Sequence, residues 1–379
     1  MTPVWKRFSA MFLAAVMATS LTACGDKGTD AKTDNGQAQS TSEGGERTFT
    51  ASGETLNVGV QTNIISVPTV YAEEKGYFDE LGLDVNLIVF PTGAPENEGL
   101  AAEQLDVASN GLASVYPMAS GLCDWIGESD CGSSTVKIYA REGSPILEHK
   151  GEIEGKPEMY SSVDTLRGAR VLGPTSTMEH WAAASYFNQF GLVSGVDYEY
   201  LNMDRAAAAQ AIFAGEGDIF VATDVDYCKL MEENGMVEIA NCEQATGTDY
   251  NNGFLARKDV IENRYDDVVL FLRGMYKAAE ELEANPELRY EFSLKYYSEN
   301  GKPADEDDVK LEAELRPFLT PDDFTAPDFE LGSGALKVGS FFASIGTLEE
   351  DQTPLIEEAI NVGPLQDAFG ITVNAATLS

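Results

Sequence analysis

Hydrophobic residues along the chain alternate between short compact runs and longer stretches in which they recur at helical spacing. The runs at 56–60, 85–90 and 136–140 are compact and apolar, as in strands that are buried on both faces. Between the first two runs, apolar residues over 67–81 follow helical spacing, and Gly82 closes that helix. Repeated strand–helix–strand units of this kind predict a mostly parallel sheet with helices on both faces.

A second series of the same kind begins at Ala169. Its predicted strands lie at 170–172, 198–201 and 218–222, and its predicted helices at 177–190, 204–214 and 223–233. After one more strand at 253–256, helical stretches follow at 268–284, 287–297 and 306–315. Two α/β series predict two lobes, with the chain crossing between them near 141–163 and 243–255. We assign 54–160 and 255–379 to the first lobe and 161–254 to the second.

The amino terminus predicts export. Lys6 and Arg7 precede an uncharged apolar run at 8–21, which is too short to span about 30 Å of hydrocarbon as a stable anchor. The run leads into Leu21-Thr-Ala-Cys24, which resembles the lipobox of bacterial lipoproteins. We therefore expect a signal peptide at 1–23 and a lipidated Cys24 on the extracytoplasmic face of the cell membrane. The alternative is an ordinary secretion signal followed by a chance cysteine.

Residues 24–53 are small and polar, with little to bury, and they predict a flexible tether. No other stretch approaches 18 consecutive apolar residues, so attachment to the membrane is expected through acyl chains alone.

The charge of the chain excludes several partners. Its 25 Lys and Arg against 63 Asp and Glu give 25 − 63 = −38. So acidic a chain is a poor partner for nucleic acid or for an anionic lipid surface. The same charge favours solubility and weak self-association, and we expect a monomer.

Four cysteines remain in the exported part: Cys123, Cys131, Cys228 and Cys242. An even number in an exported chain predicts disulfides. Of the three possible connectivities, Cys123–Cys131 with Cys228–Cys242 would close two short loops. Metal binding is the rival interpretation, but neither a CxxC spacing nor a nearby histidine supports it.

Signs of enzyme chemistry are sparse. The chain has two histidines, His149 and His180, and no G-x-S-x-G, HExxH, Walker A or GxGxxG motif. His149 lies in a polar stretch and His180 in the first turn of a predicted helix, so both are expected at the surface. We predict no catalytic residue, no cofactor and no metal site.

What recurs instead is a strand, a small polar loop and then a helix. The loops lie at 60–63, 109–114, 173–177 and 222–224. In open α/β sheets ligands bind beyond the carboxyl ends of the strands, and helix N-termini there offer unpaired N–H groups. The alternative is that the Ser and Thr residues only cap helices. Two such loops from each lobe predict a ligand held in the cleft between the lobes.

Four ordered motifs carry a family resemblance. The segment 71–84 (YAEEKGYFDELGLD) resembles the "A-x-E-K-G-Y-F-x-E-x-G-L-D/E-V" signature of nitrate/sulfonate/taurine-type solute-binding proteins of ABC importers. Segments 100–111, 164–174 and 214–221 resemble that family's "L-x-x-G-x-x-D-V-x-x-x-G", "D-L-K-G-K-x-V-x-x-P" and "x-G-x-x-D-A-x-x". The matches cover about residues 55–260, and the lipobox agrees with them.

The resemblance implies a type II periplasmic-binding-protein fold, an α/β fold of two lobes joined by a two-strand hinge. It implies a non-enzymatic receptor that captures a small polar organic solute and delivers it to an ABC permease and its ATPase. The alternatives are an enzyme on the same fold, of the menaquinone-pathway lyase type, and a receptor that docks to a membrane-bound sensor. Ligand-binding positions carried over by the resemblance are Gln61, Thr62, Asn63, Asn110, Gly111, Ser114, Ser176, Thr177, Thr223, Asp224 and Tyr227.

Some features depart from the family pattern or narrow the solute. The segment 123–131, with Asp124 and Trp125, is interpreted as an added loop near the cleft, and Tyr227 or Trp181 is expected to form an apolar wall. No Lys or Arg lies in the four loops, so bare nitrate is disfavoured. Acidic residues near the cleft mouth, namely Asp124, Asp224 and Asp226, favour a solute with an amine or a ring N–H. We expect a sulfonate-, amine- or heterocycle-containing solute.

Overall fold

Two five-stranded sheets organise the part of the chain that the computed structural model describes, residues 47–302 and 304–378. The predicted signal peptide at 1–23, the lipidation at Cys24 and the tether up to residue 46 lie outside the described residues. In chain order the strands are β1 Leu56–Gln61, β2 Val85–Phe90, β3 Val107–Asn110, β4 Cys123–Cys131, β5 Lys137–Arg141, β6 Arg170–Gly173, β7 Glu199–Asn202, β8 Ile219–Ala222, β9 Met236–Asn241, β10 Asn251–Arg257, β11 Glu330–Leu331 and β12 Asn374–Ala375.

Helices cover both sheets and make up most of the carboxyl-terminal third. They are α1 Val67–Glu74, α2 Tyr77–Glu80, α3 Gly93–Ala101, α4 Val115–Ala119, α5 Val163–Leu166, α6 Met178–Gln189, α7 Arg205–Phe213, α8 Val225–Glu233, α9 Cys242–Thr246, α10 Lys258–Asn263, α11 Tyr265–Ala284, α12 Pro286–Glu299, α13 Glu306–Leu315, α14 Ser333–Ser344, α15 Thr353–Glu358 and α16 Gly363–Phe369. Among the described residues, no helix combines the length and the apolarity needed to cross a membrane.

The two large sheets share one plan. The first has the order β2-β1-β3-β10-β4 and the second has the order β7-β6-β8-β5-β9. In each, the first three strands are parallel and the fourth, β10 or β5, runs antiparallel to both of its neighbours. The predicted fold class, two α/β lobes of the periplasmic-binding type, is confirmed.

The chain crosses between the sheets at 132–136 and 242–250. The two crossing segments are bonded to each other: Ser133 N donates to the Tyr250 carbonyl at 3.2 Å, and Cys242 N donates to the Val136 carbonyl at 3.0 Å. The first crossing therefore precedes the range 141–163 expected for it. The reason is that β5 pairs with β8 and β9, so residues 137–160 go with the second sheet and not with the first lobe.

The segment 123–131 is a strand and not an added loop. Eight of the nine residues of β4 are buried, and β4 pairs along its length with β10. Cys123 lies opposite Arg257, whose guanidinium donates to the Leu105 carbonyl before β3 begins. Asp124 therefore lies at the end of the first sheet away from the loops that follow β1 and β3. Its expected place at the cleft mouth is wrong.

The disulfides predicted for the four cysteines do not form. All four, Cys123, Cys131, Cys228 and Cys242, are free thiols. Cys123 and Cys131 begin and end the same strand, which at about 3.3 Å per residue separates them by about 26 Å, far beyond disulfide reach. The Cys228 thiol instead donates to the Thr135 carbonyl at 3.4 Å.

The last residues of the predicted tether are docked. Phe49 is buried, with the guanidinium groups of Arg47 and Arg273 at 4.7 and 4.9 Å from its ring centre. Ser52 donates from its backbone N and its hydroxyl to the two carboxylate oxygens of Asp267, at 2.7 and 2.6 Å. Residues 47–53, which were predicted to belong to the tether, are thus part of the folded body, because this short segment binds to α11.

Candidate ligand-binding site

The loops that follow β1 and β3 contain a buried network of neutral polar groups. Gln61 Nε2 donates to Glu96 Oε2 at 2.7 Å and to the Ser109 carbonyl at 2.9 Å. Asn110 Nδ2 lies 3.3 Å from the same Glu96 oxygen, and Asn63 Nδ2 donates to Gln61 Oε1 at 3.2 Å. Three predicted site residues are thus brought together by Glu96, which sequence reasoning missed.

Two glycines, Gly93 and Gly59, let the backbone pack closely against this network. A Cβ on Gly93 would lie 2.6 Å from Asn110 Oδ1, and a Cβ on Gly59 would lie 2.7 Å from Leu105 and 3.2 Å from Glu96 Oε1. Glu96 is fully buried, and burial raises the pKa of its carboxyl well above the usual value, although the hydrogen bond from Gln61 opposes the shift. Burial thus favours the neutral form of Glu96.

Gly111 and Ser114 are held by the second crossing segment. Tyr250 Oη donates to the Gly111 carbonyl at 2.9 Å and lies 3.0 Å from Ser114 Oγ. Thr62 is half-buried beside Tyr296, whose hydroxyl donates to the Gln61 carbonyl at 2.8 Å. These contacts tie the predicted first-lobe residues to the hinge on one side and to α12 on the other.

In the second sheet, the loop after β6 has an unusual backbone. Ser176 has a φ of +60°, a left-handed conformation that costs a non-glycine residue about 1–3 kcal/mol. Its N–H donates to His180 Nδ1 at 3.2 Å, and the Thr177 hydroxyl donates to the Pro174 carbonyl at 2.8 Å. Thr177 thus does not cap α6 with its side chain.

Side-chain capping is also absent at the loops after β1 and β8. The alternative that the polar loop residues only cap helices is therefore not supported at these positions. Asn63, Thr177 and Asp224 occupy the N-cap positions of the helical turns that follow β1, β6 and β8. None of the three forms a side-chain capping bond. Side-chain capping therefore does not account for these three residues.

Asp224 belongs to an ion-pair cluster that sequence reasoning missed. Arg205, the first residue of α7, donates to Glu179 Oε1 at 2.6 Å through Nε and to Asp224 Oδ2 at 2.7 Å through Nη1. Burial opposes ionisation of Asp224, but the charges of Arg205, Lys302 and Arg316 outweigh burial and lower its pKa. The Thr223 hydroxyl lies 3.5 Å from the same carboxylate oxygen.

Basic groups therefore do reach this edge, although none lies in the loops themselves. Arg205 follows β7, and Arg316 follows α13 in the other half of the molecule. Each is paired: Arg316 is buried and its Nη2 lies 2.6 Å from Asp130. The loop sequences contain no Lys or Arg and so gave no sign of these two residues, which folding brings in from distant segments.

The aromatic lining differs from the predicted one. Tyr227 packs on Phe220 within the second lobe, and Trp181 is buried against Tyr250. The side chains that meet between the lobes are those of Tyr116, Phe342 and His180. The Phe342 ring lies 6.1 Å from Tyr116 and 6.3 Å from His180, centre to centre.

His180 is half-buried and not a surface residue as expected. Its ring lies 4.5 Å from that of Tyr200, and burial lowers its pKa, so the imidazole is neutral at pH 7. The Tyr116 hydroxyl is buried and lies near Ser176, yet no group of the described residues completes a hydrogen bond with it.

Two cavities lie between helices of the described part of the chain. One of about 190 Å³ lies between α6, α9 and α14, and one of about 30 Å³ lies between α8, α12 and α13. The larger is lined by Trp181, Ser185, Asn188, Gln189, Ala245, Thr246, Thr248, Lys337 and Phe341. Asp226 lines the smaller. Neither cavity is lined by Gln61, Asn110 or Ser176, so the predicted loops pack closely in this conformation. No group of three or more His, Cys, Asp or Glu residues among those described could hold a metal ion.

Two sheets of this topology, joined by two crossings and with polar loops at their carboxyl ends, are the fold of the periplasmic binding proteins. Solved structures agree. The periplasmic aliphatic sulphonate binding protein SsuA of Escherichia coli matches with a TM-score of 0.64 at 17% identity, over 80% of this chain and 91% of that one. The alkanesulfonate-binding protein SsuA of Xanthomonas axonopodis, bound to MOPS, matches with a TM-score of 0.60 at 18% identity, over 82% and 98%.

Sequence comparison points the same way. A protein of Brachyspira hyodysenteriae named as an ABC transporter periplasmic binding protein is 24% identical over 315 residues, 83% of this chain and 90% of that protein. No protein-family model matches the chain. The resemblance to nitrate/sulfonate/taurine-type solute-binding proteins of ABC importers, read from the four motifs, is confirmed.

Proposed function

We propose that the protein is the extracytoplasmic, lipid-anchored receptor of an ABC importer. It captures a small polar organic solute between its lobes and delivers it to a permease and its ATPase without chemical change. The observation that carries this proposal is that Thr177 and Asp224 form no side-chain capping bond at the starts of α6 and α8, beyond the carboxyl ends of β6 and β8.

The proposed solute carries a sulfonate, an amine or a heterocycle. Sulfonate-binding proteins share the fold, and helix N-termini suit an anionic group. Arg205 and Arg316 are paired with carboxylates, so these two guanidinium groups are not free to bind a bare inorganic anion. This favours an organic solute in which an anion is one end of a larger molecule.

An enzyme on the same fold is the weaker candidate. A general base needs a partner that orients it, and His180 Nδ1 instead accepts the Ser176 N–H, with Tyr200 and Phe342 as its ring neighbours. A receptor for a membrane-bound sensor would use the same cleft. Stimulation of the reconstituted permease–ATPase by the loaded protein would favour the importer.

The test is native mass spectrometry of the purified protein, followed by a thermal-shift panel of sulfonates, amino acids, pyrimidines and flavins. A solute present at 100 times its Kd should stabilise the protein by about 2.7 kcal/mol, a rise of several degrees in Tm. Asn110→Ala should abolish that rise. The matched control is Asn86→Ala, on the exposed strand β2 of the same sheet.

Two outcomes would contradict the proposal. One is that no solute of the panel raises Tm while one of them is converted to product, because the protein would then be an enzyme. The other concerns the anchor: Cys24→Ala should release the protein from the membrane fraction, and retention there would exclude attachment through Cys24.

A further inference from the structure

The orientation of the side-chain amides in the first lobe is fixed by their neighbours. Both hydrogens of Gln61 Nε2 have acceptors, Glu96 Oε2 and the Ser109 carbonyl. A flipped amide would turn its oxygen toward these two acceptors. Gln61 Oε1 therefore faces Asn63, whose Nδ2 donates to it at 3.2 Å. This leaves Asn63 Oδ1 as the end of the chain of bonds.

Asn110 is fixed in the same way. Three acceptors surround its Nδ2: Asn97 Oδ1 at 3.1 Å, and Glu96 Oε2 and the Gly93 carbonyl, each at 3.3 Å. Asn110 is fully buried, and its Oδ1 has no partner among the described residues; nor has the buried Oδ1 of Asn63. Buried acceptors without a partner are rare in folded proteins and call for an explanation.

Glu96 is the common anchor of the two amides. It is fully buried in α3, and one of its oxygens accepts from both Gln61 and Asn110. Its Oε2 thus offers both amides one acceptor of fixed direction, while its buried Oε1 has no partner among the described residues. Both amides therefore turn their nitrogens toward Glu96.

We propose that Glu96 is a positioning residue that makes the first-lobe half of the site an acceptor surface, so that the solute presents N–H donors to Asn63 and Asn110. The donors belong to an amine, an amidine or a ring N–H. This inference rests on the proposed function. A sulfonate facing the same atoms would set oxygen against oxygen, so an anionic end of the solute points to the N-terminus of α6 in the second lobe.

The test uses two pairs of isosteric probes that differ in their N–H groups. One pair is 2-aminoethanesulfonate and propane-1-sulfonate, and the other is 4-aminopyrimidine and 4-methylpyrimidine. Isothermal titration of the protein should give about tenfold tighter binding of the N–H member in the pair that binds, as expected for one hydrogen bond to a buried acceptor. Equal affinity, or tighter binding of the methyl member, would overturn the inference.

Variants of Glu96 separate its role from a general effect on folding. Glu96→Gln keeps a neutral acceptor of the same shape and should retain the preference, whereas Glu96→Leu should reduce it to within about threefold. The control is Glu98→Leu, an exposed residue of the same helix. If Glu96→Gln loses the preference, Glu96 acts through its charge and the inference fails.

Should Glu96→Leu not fold, Asn63→Leu replaces it as the test, because Asn63 is a half-buried loop residue. Retention of the full preference in Asn63→Leu would overturn the inference. Failure of the proposed function has a separate signature, since no probe of the wider thermal-shift panel would then bind. Binding without a preference for N–H groups leaves the receptor function standing and removes only this inference.

Discussion

The two lobes organise their halves of the site with different chemistry. In the first lobe, Gln61, Glu96 and Asn110 form a neutral network that is almost fully buried. In the second, Arg205 bridges the carboxylates of Glu179 and Asp224, and side chains there are exposed by up to 32%. Directional hydrogen bonds therefore shape the first-lobe half of the site. Charge interactions hold the second-lobe half, where Lys302 and Arg316 also act on Asp224.

The largest effect is expected from breaking the charged half. Arg205→Met leaves Glu179, which is 2% exposed, without a cation and should lower the free energy of unfolding by about 3 kcal/mol, at the lower end for a buried pair because Arg205 is partly exposed. Urea unfolding measures this. Arg141→Met breaks the more exposed pair with Asp218 and should change stability by less than about 1 kcal/mol. Equal losses in the two variants would mean that the cluster has no special role.

A smaller effect should follow from crowding the neutral half. In Gly93→Ala the added Cβ would lie 2.6 Å from Asn110 Oδ1, so the amide or the start of α3 must shift, at a cost of about 1–3 kcal/mol. Affinity for any solute found by the thermal-shift panel should fall with stability. Ala94→Ser, at the next and exposed position of the same helix, is the control. An unchanged affinity in Gly93→Ala would show that Asn110 does not contact the solute.

The smallest effect is expected in the pH dependence of stability, where the two halves have opposite signs. The raised pKa of Glu96 means that its contribution is complete below about pH 4.3, its unfolded value, and is lost as the pH rises through the folded pKa. The lowered pKa of Asp224 means that its contribution is present above about pH 3.9 and is lost as the pH falls through the folded pKa.

Urea titrations from acid to mildly alkaline pH measure both contributions. Glu96→Gln should become more stable relative to the original protein as the pH rises. Asp224→Asn should remove part of the loss of stability at acid pH. Parallel pH profiles for these two variants would contradict the contrast between the halves.

Much of the fold follows from the sequence where local pattern and burial agree. Strand β2 at 85–90 and helix α13 at 306–315 have the predicted bounds. In both, the spacing of apolar residues along the sequence corresponds to the face that the element buries. Strand β4 was missed because the buried residues of its sequence include Asp124, Glu128 and Asp130, which look like a surface loop. Their partners, such as Arg316 for Asp130, lie about 190 residues away along the chain.

The candidate site was predictable to the same extent. Short loops after strands located Gln61, Asn110 and Thr223, since strand ends are local features. Glu96 and Arg205 were not predictable, because each acts only through residues brought near by folding. Whether the predicted residues contact a solute is left to the thermal-shift and titration experiments.

Strand β10, which comes late in the chain but lies inside the first sheet, has a consequence for how the chain folds. It separates β3 from β4 in the first sheet, yet Gly253 pairs with Asn110 across 253 − 110 = 143 residues. Until β10 has been synthesised, β3 can pair only with β1, and β4 has no neighbour in the sheet; contacts of such long range form slowly. The first sheet therefore cannot be completed until nearly 260 residues have been synthesised, so its assembly is a late event in the folding of the chain.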